Sequence, residues 1–195
     1  APPRRLTATK GSESGAAWSP DSRKLAFSSK REGDEAAQLY VLDLAGGEAQ
    51  RITSQTLGAR GPKWSRDGSQ LLFEGAAFPG ALDEAAQKRV GTERKSLKSK
   101  VRVYEGFPIR RWDRWLEDRQ THLFVVSADG SGPARDLLAA TAMVKARGFR
   151  GASGEGATDS LEPEWAPDSA SIVFTATVNG DVAAHAEPSF QLYQV

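Results

Sequence analysis

The chain has 195 residues, 39% of them hydrophobic, enough to bury one sizeable core as one domain or at most two. Its 26 basic and 25 acidic residues are mixed along the sequence, and the net charge of +1 argues against a nucleic-acid or membrane-surface protein held by bulk charge. The absence of cysteine excludes disulfides, zinc-thiolate sites and a cysteine nucleophile while leaving the compartment open; two histidines argue against a multi-His metal site, and no apolar run is long enough to span a bilayer.

In chain order, Arg4-Arg5-Leu6-Thr7 returns as Gln50-Arg51-Ile52-Thr53, each threonine eleven residues before a tryptophan. Residues 1–10 are therefore expected to be the last strand of a preceding unit. Trp18-Ser19-Pro20-Asp21-Ser22 then leads into Lys24-Leu25-Ala26-Phe27-Ser28, and this stretch occurs three times. Trp64-Ser65-Arg66-Asp67-Gly68 precedes Gln70-Leu71-Leu72-Phe73-Glu74, and Trp165-Ala166-Pro167-Asp168-Ser169 precedes Ser171-Ile172-Val173-Phe174-Thr175. In every copy the phenylalanine lies nine residues after the tryptophan, so one supersecondary unit is used repeatedly.

Proline presets φ at the second position of a turn, aspartate bonds its own backbone two residues on, and serine or glycine closes the turn, so each corner joins two strands of a hairpin. Beyond it the residues alternate with strand periodicity, and the tryptophan is expected to fill the space between neighbouring sheets. After Phe27 come a polar loop, the alternating strand Leu39-Tyr40-Val41-Leu42-Asp43-Leu44, a Gly46-Gly47 turn and a short strand ending at Ile52-Thr53. Four strands in roughly 40–50 residues, repeated, are the signature of a β-propeller blade. The expected fold is all-β: a partial propeller of three four-stranded antiparallel blades, spanning 15–53, 60–138 and, incompletely, 161–195.

The second blade carries an insertion over 75–120. Thirteen residues separate Phe27 from Tyr40 and 51 separate Phe73 from Phe124, so 38 have been added. Its first half sets Leu82, Ala85, Ala86, Arg89 and Val90 on one side at helical spacing, which predicts a helix within 81–100, broken at Gly91. A second addition between Leu138 and Trp165, with glycines at 148, 151, 154 and 156, is expected to be a loop after a helical turn near 139–146. In the third blade, Gln191-Leu192-Tyr193-Gln194-Val195 matches Gln38-Leu39-Tyr40-Val41-Leu42. An open array leaves two blade faces uncovered, so self-association, or dependence on further blades, is expected.

The pattern Trp-Ser-Pro-Asp-Ser/Gly, Leu-x-Phe, Gln-Leu-Tyr-Val, Gly-Gly-Glu and Arg-Ile-Thr resembles the propeller repeat of TolB-like periplasmic proteins and of the N-terminal domains of prolyl oligopeptidase family serine peptidases. Within the insertion, Val103-Tyr104-Glu105-Gly106-Phe107-Pro108 and Arg111-Trp112-Asp113-Arg114-Trp115, followed by His122-Leu123-Phe124-Val125-Val126, are similar to a segment of acylaminoacyl- and dipeptidyl-peptidase-like members. The resemblance implies a C-terminal α/β-hydrolase domain with a Ser-Asp-His triad as partner, peptides as substrates and no cofactor, the propeller covering the active site and filtering substrates by size. The alternative it leaves is a TolB-like protein-binding propeller in the periplasm.

No residue of this chain is expected to be catalytic. Gly11-Ser12-Glu13-Ser14-Gly15 lacks the Gly-x-Ser-x-Gly spacing and strand-to-helix context and reads as a loop. His122 reads as a strand-surface residue satisfied by Asp118, and His185 as a loop residue; Glu117 and Asp118, and Glu162 and Glu164, read as turn and strand-edge charges.

Strand parity indicates which face works. In an antiparallel four-stranded blade, the second-to-third connection and the connection to the next blade emerge together, opposite the tight turns. Both insertions are of the former kind, so one face is trimmed and the other elaborated. There Arg110, Arg111, Trp112, Asp113, Arg114 and Trp115 combine fixed charge with aromatic surface suited to a peptide or a neighbouring domain. The other reading is that Trp112 and Trp115 pin the insertion to its blade while Arg111 and Asp113 satisfy one another.

Overall fold

A computed structural model describes residues 2–98, 110–111, 114–115, 118–153 and 159–195. The first sheet comprises β1 (Glu13–Trp18), β2 (Lys24–Ser29), β3 (Gln38–Asp43) and β4 (Gln50–Arg51), antiparallel and in sequence order. The second comprises β5 (Arg60–Trp64), β6 (Gln70–Ala77), β9 (Gln120–Ser127) and β10 (Arg135–Asp136), again in order. Between β6 and β9 lie helix α1 (Glu84–Ser96) and the hairpin of β7 (Arg110–Arg111) and β8 (Arg114–Trp115).

The third sheet is built on β13 (Ile172–Thr177), with β14 (Gln191–Gln194) on one side. On its other side β12 (Glu164–Trp165) pairs with the start of β13 and β11 (Arg150–Gly151) with its end, so two short strands share one edge. The described residues of 138–160 lie against the sheet, with a 3-10 turn at Met143–Lys145 and Phe149 buried, because an apolar ring beside Gly148 and Gly151 has a core to enter. Residues 2–9 pair with no described strand.

Local chemistry explains each corner. Ser19 takes the Lys24 carbonyl with its N–H and receives the Ser22 N–H, both at 2.9 Å, closing a turn whose last residue lies at φ 59°. The Ser19 hydroxyl donates to Asp21 at 2.6 Å and accepts the Lys24 N–H, while Asp21 receives the Arg23 N–H. The second corner repeats this with Ser65, Asp67 and Gly68; the third keeps the aspartate but has Ala166 in the serine's place. The closing residue has positive φ in all three copies, which glycine adopts freely and serine tolerates at a modest cost.

Alternation decides what the sheets bury. Each repeat phenylalanine stacks on its cross-strand partner, Phe27 on Tyr40, Phe73 on Phe124 and Phe174 on Tyr193, with centroids 6.2, 5.3 and 5.8 Å apart. Phe73 and Phe124 face back onto Ala26, Leu39 and Val41 of the first sheet. The opposite face of the second sheet, Leu72, Leu123 and Val125, meets Phe174, Ile172 and Ala176 of the third. The core is therefore a series of inter-sheet layers. The tryptophans of the second and third sheets also reach back one sheet: Trp64 donates its indole N–H to the Ala17 carbonyl at 3.0 Å, and Trp165 to the Lys63 carbonyl at 3.1 Å, whereas Trp18 is exposed and fills no space between described sheets.

Gly11 to Gly15 departs from the expected loop. From Glu13 onward the backbone is β1, because pairing with β2 satisfies it, and an irregularity in register between Ser14 and Ala17 accommodates Gly15 at φ 64°.

Candidate functional site

The connections from β2 to β3, from β4 to β5, and from β6 to β9 lie on one face, and α1 ties them together. Asp83 caps the helix by accepting the Ala86 N–H at 2.7 Å. Glu84 then accepts from the Thr56 N–H at 2.7 Å and its hydroxyl at 2.5 Å, and Lys95 at the far end pairs with Glu35 at 2.7 Å. Thr56 and Glu35 belong to two different connections of the first sheet, so an insertion of the second blade straps across the first. Lys95 holds the Glu35 carboxyl below the usual range.

The helix differs from its expected form in two ways. It runs through Gly91 unbroken, the glycine keeping helical backbone beside Phe78 and Thr56. Its buried residue is Gln87 rather than the Leu82 and Ala85 side; Leu82 is 63% exposed. Gln87 accepts the Phe78 N–H at 2.8 Å, which shows that the helix docks on loop backbone, where polar contacts are required, and not on an apolar sheet face. Arg94 covers the Phe78 ring at 4.4 Å and forms a two-pronged pair with Asp118 at 2.7 and 2.5 Å, which lowers the Asp118 pKa.

Under this face lies a buried polar network that the sequence reading missed. Glu74, the residue after the repeat phenylalanine, accepts the Leu161 N–H at 2.6 Å and the Ser160 hydroxyl, with the Arg60 guanidinium at 3.6 Å. Thr121 donates to Asp159 at 2.6 Å, and Asp159 also accepts the Gly151 N–H. Arg60 donates to Thr121 and to the Asp159 carbonyl. The second sheet thereby fixes the start of the third. The available signal was an acid in an otherwise apolar strand, where the first repeat has Ser28, which itself donates forward to the Ala59 carbonyl.

His122 is 2% exposed, and its partner is Asp136, at 2.7 Å from Nδ1, with the ring between Phe124 and Phe149. The expectation of a surface residue paired with Asp118 is corrected: β9 lies inside its sheet, and Asp118 is engaged by Arg94. His122 stands where the first repeat has Gln38, and both clip the third strand to the tail of the fourth, Gln38 through Thr53 and Gln55. His185 is exposed after a 3-10 turn, Gly180–Ala184, and Glu164 forms an ion pair with Lys63.

Of the six candidate contact residues, Trp112 and Asp113 lie outside the described residues. The other four form the β7–β8 hairpin, in which Arg110 pairs with Trp115 and Arg111 with Arg114. Of the repeat positions, Trp18, Asp21, Trp64, Asp67, Trp165 and Asp168 sit at the corners and Phe73 and Phe174 in the inter-sheet layers, while Phe27 packs with Tyr40 and Leu42 on the outer face of the first sheet. Among the described residues, no cluster of His, Cys, Asp and Glu could hold a metal ion.

Sheets in this order, each handing its tryptophan back to the one before, define a partial β-propeller. Comparison with known proteins sharpens that class. The chain is 33% identical over 161 residues to an uncharacterized peptidase, YuxL, of Bacillus subtilis, a match covering 83% of this chain and 21% of that protein. Its fold is shared with the acylaminoacyl peptidase of Pyrococcus horikoshii (TM-score 0.53, 17% identity, 94% of this chain and 23% of the other). It is shared also with TolB of Acinetobacter baumannii (TM-score 0.50, 16% identity, 96% of this chain and 31% of the other). No protein-family model matches the chain. The resemblance is borne out in a relative named as a peptidase and in a propeller fold shared with an acylaminoacyl peptidase and TolB, and the chain spans about a fifth of the peptidase that it matches.

Proposed function

We propose that this chain is a non-catalytic propeller module that gates and orients peptide substrates for a serine hydrolase domain lying elsewhere in a longer polypeptide. The observation that carries the reading is the 33% identity to a protein named as a peptidase of which the chain spans only 21%. The absence of a Gly-x-Ser-x-Gly elbow in this sequence agrees with it.

The elaborated face is the working face in this reading. A rigid scaffold with α1 strapped across two blades supports long connections there, the arrangement in which loops carry function. The β7–β8 hairpin supplies the contact residues Arg110, Arg111, Arg114 and Trp115, with Trp112 and Asp113 between. Arg111 and Arg114 are register partners in that hairpin, and the basic and aromatic composition of 110–115 suits a peptide or the hydrolase domain.

The test is peptide hydrolysis by the longer polypeptide with and without this module. The 195-residue chain alone should hydrolyse nothing, and removing it should admit larger peptides to the hydrolase domain. Hydrolysis by the isolated chain that a serine-directed inhibitor abolishes would overturn the proposal. A polypeptide of about six blades with no hydrolase domain would move the reading to a TolB-like protein-binding propeller.

A further inference from the structure

The limbs of both long connections meet at one buried polar node under the elaborated face. Glu74, in β6, and Thr121, in β9, stand close to where the first connection leaves and returns. Asp159 leads the second connection into the third sheet, and its Oδ2 takes the N–H of Gly151, on the other limb of that connection, at 2.5 Å. Gly151 approaches this closely because it has no side chain; an added Cβ would collide with the Ser160 backbone. Arg60, the first residue of β5, joins all of them. Its Nε faces Glu74 at 3.6 Å, and its Nη2 donates to the Thr121 hydroxyl at 3.2 Å and to the Asp159 carbonyl at 2.5 Å. Glu74 and Asp159 are both buried, so one guanidinium offsets two carboxylates that burial would otherwise penalise.

The first sheet shows the same positions where the connections are short. Counted from the repeat tryptophans and phenylalanines, the counterparts of Arg60, Glu74, Thr121 and Asp159 are Ser14, Ser28, Ala37 and Gly58. One bond stands there in place of the node, from the Ser28 hydroxyl to the Ala59 carbonyl at 2.7 Å. Stacking one sheet on the next therefore does not require the charged node, which accompanies the elaborated connections. We propose that Arg60 is a positioning residue that fastens both connections to one node, so that they loosen and close together as a single gate. The gating half of this rests on the function proposed above; the fastening does not.

Arg60→Lys keeps the charge and loses the planar fork that reaches three partners at once. Hydrogen exchange of the longer polypeptide, read by mass spectrometry, should accelerate by about tenfold in both connections, the equivalent of one charge-assisted hydrogen bond. The segments to follow are 78–83 in the first connection and 151–153 and 159–161 in the second, with the strand interiors at 71–73 and 124–126 unchanged. Thr121→Val is the second variant; it removes a hydroxyl on the first connection's limb and should accelerate 151–153 in the second. Acceleration confined to the second connection in Arg60→Lys would overturn the proposal and leave Arg60 as a clip for the start of the third sheet, and so would a Thr121→Val chain whose 151–153 segment exchanges as in the wild type. Peptide hydrolysis separates the two halves. Arg60→Lys should raise kcat/KM for long peptides relative to short ones through KM, with kcat for short peptides unchanged. Joint acceleration of exchange with no change in that ratio would keep the fastening and overturn the gate; a changed ratio without joint acceleration would overturn the fastening.

Discussion

Trp165 donates its indole N–H to the carbonyl of Lys63, the residue directly before Trp64, and Trp64 makes the same bond to Ala17, the residue directly before Trp18. At both sheet boundaries one side chain therefore joins adjacent sheets by ring packing and a directional bond together. The nearby ion pair between Lys63 and Glu164 and the bond from the Arg66 N–H to the Ser169 hydroxyl, at 2.9 Å, reinforce the same edge.

Replacing Trp165 by phenylalanine keeps most of the packing and removes the bond. The loss should be about 1 kcal/mol for the hydrogen bond, with a further cost for the smaller ring, whereas alanine should cost about 3–5 kcal/mol. Urea unfolding followed by far-UV circular dichroism measures both; equal effects of the two substitutions would show that the bond contributes nothing.

The corners set the response to acid. The Ser65 hydroxyl, the Ser69 N–H and the Ser69 hydroxyl hold the Asp67 pKa at about 2, below its ordinary 3.8, and the Ser127 and Ser131 groups hold Asp129 at about 2. Between these values the unfolded chain binds more protons than the folded one, so stability rises with pH there. The contribution is complete above about pH 4 and is lost as pH falls toward 2. Carboxyl NMR titration should find the Asp67 midpoint raised by Ser65→Ala; a midpoint unmoved by that change would exclude the hydroxyl as the cause.

Substituting Asp136 by alanine strands a buried imidazole and frees the Leu138 and Ala139 N–H groups that its other oxygen accepts. The expected loss is about 1–3 kcal/mol for a buried group left unpaired. His122→Phe, which removes the polar partner, should cost less in a double-mutant background with Asp136→Ala than alone; additive losses would show that the two residues act independently.

The parts of the molecule legible in the sequence are those fixed by local chemistry. Trp18, Trp64 and Trp165, the Asp-containing corners and the Phe27, Phe73 and Phe174 strands are each readable within a dozen residues, and the repeat multiplies that signal. What was not legible depends on which distant backbone arrives nearby. Glu74 finds Leu161 across a sheet boundary, and His122 finds Asp136 through the register of β9 with β10 and not Asp118, its closer neighbour in sequence. The face of α1 was misread for the same reason. Helical spacing selects the apolar side, but the surface beneath is loop backbone, which favours Gln87 and Glu84.

The α1 strap should loosen without unfolding the blades. Glu84→Ala removes the acceptor of both Thr56 bonds, at a cost of about 1 kcal/mol borne by the helix, because the inter-sheet layers do not include it. Hydrogen exchange in α1 should then rise while exchange in β6 and β9 stays slow, since elements with few buried apolar contacts open independently of the core. Added salt should act in the same direction by screening the exposed Lys95–Glu35 pair. In the longer peptidase proposed above, the same substitution should broaden the range of peptide lengths accepted with no change in melting temperature, because it frees the insertion that carries Arg111 and Arg114. Joint acceleration of exchange in α1 and in β6 would show that the strap is part of the blade core and that its loss cannot be read as a change of gating.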